Sequence, residues 1–118
     1  MRILIIFLLA VHVLTGVFWA GSTFVLARAG VAAAPGLFRS QMGSATLALL
    51  AGLGLWGILH RGPMGPMEDT LAVGVVCALA AAGVQGMLRK SSPLLSQRLA
   101  ALLLAITVVC MVTARYAT

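Results

Sequence analysis

An all-α membrane protein, a four-transmembrane-helix bundle, is the fold class the sequence predicts, and three observations predict it. Of 118 residues, 62% are hydrophobic and only 8% are charged. An ordinary globular domain is about half apolar and about a quarter charged. The apolar residues fall into four runs, each near the roughly 20 residues that cross a bilayer. Proline and glycine cluster between the runs, where proline blocks helix continuation. A soluble chain this short could not hide so much apolar surface, because small domains bury only about 60% of theirs. The whole chain, 1–118, reads as a single integral membrane domain with the lipid bilayer as its solvent.

The first helix is expected over 3–27, the second over 42–60, the third over 70–88 and the fourth over 99–116. The start of the first also resembles a signal peptide, with Arg2 as its basic head and Ala27-Arg28-Ala29 as a small-x-small site. The apolar run exceeds the roughly 7–15 residues of such a segment and holds His12 and Trp19, so a spanning helix is the better reading. Turn chemistry marks the connections: Ala34-Pro35-Gly36, then Gly62-Pro63-Met64-Gly65-Pro66, then Ser91-Ser92-Pro93. Glu68 and Asp69 stand before the third helix, where carboxylates suit its positive dipole end.

The net charge of +6 sets eight Lys and Arg against Glu68 and Asp69. These cations sit at helix ends, where they meet headgroups and set orientation, so nucleic acid is not the expected partner. The first and third connections carry Arg28, Arg39, Arg89, Lys90 and Arg98, against Arg2, Arg61 and Arg115 on the other side. The positive-inside rule then places loops 28–41 and 89–98 in the cytoplasm and both termini outside an inner (plasma) membrane.

Helix packing in lipid needs small residues at the contacts. The second helix offers Gly52, Gly54 and Gly57, and the third offers Gly74, Ala78, Ala81, Ala82 and Gln85 at helical spacing. Packing within one bundle is the expected use of that stripe, and a homodimer seam is the alternative. Gln85 is expected to bond a neighbouring helix. Trp56 and Tyr116 fit interfacial aromatic belts. Cys77 and Cys110 lie in apolar segments without a CxxC pairing and read as small packing residues.

His12 is the most informative position. It lies roughly 13 Å inside its helix at 1.5 Å per residue, and an ionisable group at such depth is a functional candidate. Thr15, Gly16, Trp19 and Thr23 follow on the same helical face. That stripe could seat a flat cofactor with the imidazole as axial ligand. The competing reading is a neutral histidine hydrogen-bonded inside the bundle. His60, at the end of the second helix, reads as a solvated or capping residue. It lies too shallow to share one haem with His12. Met64 and Met67 beside His60 read as plain loop before soft-metal ligands. No carboxylate lies within a span, which disfavours a proton-coupled carrier. No nucleophile–base set, nucleotide loop or zinc cluster is legible, and an enzyme is not the expected class.

His12 begins the pattern His12-x6-Trp19-x-Gly21, which resembles the opening helix of the copper-resistance-D-like membrane proteins and of the HemJ-type protoporphyrinogen oxidases. Ala34-Pro35-Gly36-Leu37-Phe38 resembles the proline-and-aromatic connection of that group. The likeness spans the first helix and the connection after it. It implies a small helical inner-membrane protein in which His12 binds haem b or a metal, with Trp19 and Gly21 as further cofactor-site residues. Two expectations of other classes stand beside it: a structural or assembly subunit of a larger membrane complex, and a small dimeric channel or transporter.

Overall fold

A computed structural model describes residues 1–33, 36–60 and 62–116. Among these residues the chain forms four long helices: α1 (Arg2–Ala29), α2 (Leu37–Leu59), α3 (Pro66–Met87) and α4 (Pro93–Thr113). Short 3-10 turns follow α1 at Val31–Ala33 and α4 at Ala114–Tyr116. Each of the four segments is long and apolar enough to cross a membrane.

Local chemistry sets the ends. Gly30, at φ 91°, closes α1 in a backbone conformation that suits glycine, and its N–H donates to Leu26 O at 2.9 Å. Pro66 and Pro93 occupy the first position of α3 and α4, where a missing N–H costs nothing. Glu68 Oε1 accepts the Gly65 N–H at 3.1 Å and fastens the start of α3. The expected boundaries need correction here. Helix α2 starts at Leu37 rather than 42, α3 at Pro66 rather than 70, and α4 at Pro93 rather than 99. The polar first turns belong to the helices, so Glu68 and Asp69 lie inside the first turn of α3. Of the turn Ala34-Pro35-Gly36, Ala34 and Pro35 lie outside the described residues, as do Arg61, Ala117 and Thr118.

The helices run alternately up and down. Helix α1 packs along α2, α3 packs along α4, and α1 meets α4, while α2 and α3 touch over a short stretch only. The connections after α1 and after α3 therefore share one end, the strongly basic one. His60 and Glu68 mark the other end.

The interior is built from small residues. Ala20, Ala45, Ala48, Ala78, Ala81 and Ala100 form the core with Trp19 and Leu104. Ala81 and Ala100 are fully buried, while Leu14 is 70% and Leu102 62% exposed. That inversion of the soluble pattern lets backbones approach and turns the large apolar groups outward. The expected α3 stripe is confirmed in place: Gly74, Ala78, Ala81 and Gln85 are its buried residues, and Ala82 packs at the edge of the core. Gly74 lets α4 come close, since a Cβ there would stand 3.1 Å from both Cys110 Cβ and Met111 Cε. Thr107 Oγ1 donates to Gly74 O at 3.0 Å across the same contact.

Candidate functional site

Two polar places lie within the spans. The first is His12, ten residues beyond the start of α1 and so ~15 Å along the helix. Its Nδ1 stands 2.7 Å from Ala48 O on α2. A carbonyl oxygen can only accept, so Nδ1 donates to it, and in the neutral ring this leaves the lone pair on Nε2. Nε2 has no hydrogen-bond partner among the described residues, and the ring is half-buried. Gly52, one turn beyond Ala48, makes room for the imidazole. A Cβ at Gly52 would lie 2.9 Å from His12 Cε1 and 3.2 Å from Nδ1.

The second place is a polar cluster that joins all four helices near the basic end. Trp19 Nε1 donates to Gln85 Oε1 at 2.7 Å. Gln85 Nε2 donates to Thr23 Oγ1 at 2.9 Å and to Gln97 Oε1 at 3.2 Å. Gln41 Nε2 donates to Thr23 Oγ1 at 3.2 Å and to Gln97 Oε1 at 3.1 Å. Thr23 Oγ1 in turn donates to Trp19 O at 2.7 Å. Thr23, Gln41 and Gln85 are fully buried. No buried side-chain nitrogen or oxygen among the described residues lacks a partner. A network in which every buried nitrogen and oxygen has at least one partner helps hold the four helices in register.

The residues of the sequence motif therefore separate. His12 faces α2, whereas Trp19 and Thr23 enter the four-helix network. Thr15 Oγ1 donates to Val11 O at 2.6 Å on its own helix. Gly16 and Gly21 have open space where a Cβ would sit. These residues do not line one cavity. The indole of Trp19, only 3% exposed, is enclosed by the protein's own groups. A cavity of about 100 Å³ does lie at the basic end, lined in part by Phe38, Gln41, Arg89 and Gln97, and His12 is not in its wall.

Gln85 bonds neighbouring helices, as its position suggests. Gln41, Gln97 and Ser96 are absent from the sequence-based candidates, because the polar turns that carry them read as connections. The signals were Pro93, a helix-starting proline, and a glutamine four residues into each of α2 and α4.

His60 caps α2, and its Nδ1 lies 2.9 Å from Glu68 Oε2 at the far end of the bundle. Its ring centroid is 5.7 Å from that of Trp56. Cys77 and Cys110 are free thiols. The described residues hold no group of three His, Cys, Asp or Glu side chains able to bind a metal ion. Compared with protein-family models, with curated proteins and with solved structures, the chain matches none.

The fit of a haem can be judged from these positions. The donor chemistry suits an axial ligand: a ligating histidine typically donates its other ring N–H to a backbone carbonyl, as His12 does to Ala48. Trp19 and Gly21 do not join His12 around an internal cavity, and His12 is absent from the wall of the cavity at the basic end, so a haem held by His12 would have to lie outside the bundle core.

Proposed function

We propose that this chain is a multi-pass inner-membrane protein that holds a haem b, or a metal centre, through His12 Nε2 on the face shared by α1 and α2. The observation that carries the reading is the 2.7 Å bond from His12 Nδ1 to Ala48 O. It sets the ring direction and leaves Nε2 without a hydrogen-bond partner among the described residues, about ten residues into α1. An intramembrane ionisable residue is by default a functional site, and the Ala48 carbonyl supplies the support a ligating histidine needs. A bound haem would supply redox or ligand-exchange chemistry. The chain's own part is to position one imidazole and to surround it with apolar side chains. In the orientation favoured by the basic residues, the α1–α2 and α3–α4 connections with their flanking helix turns, 28–41 and 89–98, face the cytoplasm and both termini lie outside.

A second reading is an assembly subunit of a larger membrane complex, without chemistry of its own. The close seat of His12 on Gly52 favours it, as does the internal completion of the glutamine network, because the bundle is then finished without a ligand.

Titration of the purified protein with haemin separates the two. The haem reading expects a Soret band with a stoichiometric endpoint, lost in His12→Ala and kept in Trp19→Phe. A wild-type protein that stays colourless and co-purifies with a fixed partner supports the subunit reading.

A further inference from the structure

The basic end of the bundle carries Arg28, Arg39, Arg89, Lys90 and Arg98, while both carboxylates of the chain, Glu68 and Asp69, belong to α3's opposite end. Five cations therefore lack a counter-charge within their own protein at that end. One of them, Arg89, lines the cavity of about 100 Å³ between the end of α1 and the starts of α2 and α4. Its guanidinium carbon stands 4.0 Å from the Phe38 ring centroid, which holds the charge at the cavity wall. Deeper, the wall is polar and rigid: Gln41, Ser96 and Gln97 are buried. Gln97 Nε2 makes one long bond, 3.4 Å to Gln41 Oε1, and keeps a second N–H free to donate. The cavity has the volume of a few waters, enough for one phosphate-sized group. It lies at the basic end of the bundle, beside the end of α1 and the starts of α2 and α4.

We propose that this cavity binds the phosphate of an anionic phospholipid. Arg89 contacts the phosphate oxygens through its planar fork, Gln97 donates from the floor, and the remaining cations hold the negative leaflet nearby. Basic pockets between spanning helices take anionic headgroups for this reason. The lipid thus acts as a fourth-side wedge between α1, α2 and α4, and its site is independent of His12.

The test uses the full chain, delipidated in neutral detergent. It is titrated separately with phosphatidylglycerol, phosphatidylcholine and inorganic phosphate, and binding is read from the thermal midpoint and from lipid retained in native mass spectrometry. Phosphatidylglycerol is expected to raise the midpoint and remain bound, with the other two weaker. Arg89→Gln is expected to lower its apparent affinity about tenfold, the loss of one charge-assisted contact. Arg89→Lys should fall between, because it keeps the charge and loses the fork. Arg39→Gln, outside the cavity, is expected to change it about twofold or less, as a screened distant charge does. Equal losses in Arg89→Gln and Arg39→Gln would mean diffuse attraction and overturn the site. Equal stabilisation by inorganic phosphate would overturn the lipid as the source and leave a free anion in its place. No response to phosphatidylglycerol would overturn the proposal outright.

Discussion

His12 and Gly52 are matched as ring and seat: the imidazole of α1 lies where any side chain on Gly52 of α2 would stand, with a virtual Cβ 2.9 Å from Cε1. The same ring bonds Ala48 O one turn earlier. Gly52→Ala is therefore expected to push the imidazole out and strain the α1–α2 contact. The cost should be about 1–3 kcal/mol, the usual range for overpacking a close contact. Thermal unfolding in detergent checks it, and a midpoint equal to that of the wild type would show that the ring moves freely.

Trp19 and Gln85 should be coupled rather than additive. Gln85→Leu leaves the buried Trp19 N–H without its acceptor, and an orphaned buried donor costs about 1–3 kcal/mol. Trp19→Phe removes the donor, so the double variant should recover part of the loss. A double-mutant cycle in reversible unfolding is expected to give a coupling of about 1 kcal/mol, near the upper part of the range for membrane interiors. Zero coupling would contradict the bond.

Gly74 should accept larger residues poorly. Its missing Cβ would meet Cys110 Cβ and Met111 Cε at 3.1 Å, and Thr107 bonds its carbonyl. Gly74→Val is expected to part α3 from α4 and cost more than Gly83→Val, since a Cβ at Gly83 meets nothing. Comparing the two thermal midpoints checks the packing, because both variants introduce the same β-branched residue into the same helix.

Glu68 serves two partners at the other end, accepting the Gly65 N–H and pairing with His60. Glu68→Ala should remove a cap and the link between the ends of α2 and α3. The expected loss is about 1 kcal/mol, the sum of a modest cap and a partly exposed pair. Faster amide exchange at Gly65 checks it locally, because that N–H loses its acceptor.

Much of this arrangement is legible in the residues. The four spans and the α3 stripe from Gly74 to Gln85 follow from apolar length and from the spacing of small side chains. The starts of α2 and α4 do not. Gln41, Ser96 and Gln97 look like connection because polarity in so apolar a chain usually means water. In the fold that polarity points inward, where three amides and a threonine complete one another. Helical spacing alone also joins His12 to Trp19, only about 20° apart around the helix, although they serve different neighbours: His12 meets Ala48 O of α2 and Trp19 donates to Gln85 of α3. Which partner each face meets is a tertiary fact that no single-helix projection contains.

The most direct measurement is the ring-nitrogen NMR spectrum of the purified protein labelled with ¹⁵N-histidine, with His60→Asn used to assign the two imidazoles. The account predicts that His12 is neutral, protonated at Nδ1 and bare at Nε2. A His12 signal from the tautomer protonated at Nε2 alone would contradict the bond to Ala48, and an imidazolium would keep that bond but remove the ligand nitrogen on which the proposed function depends.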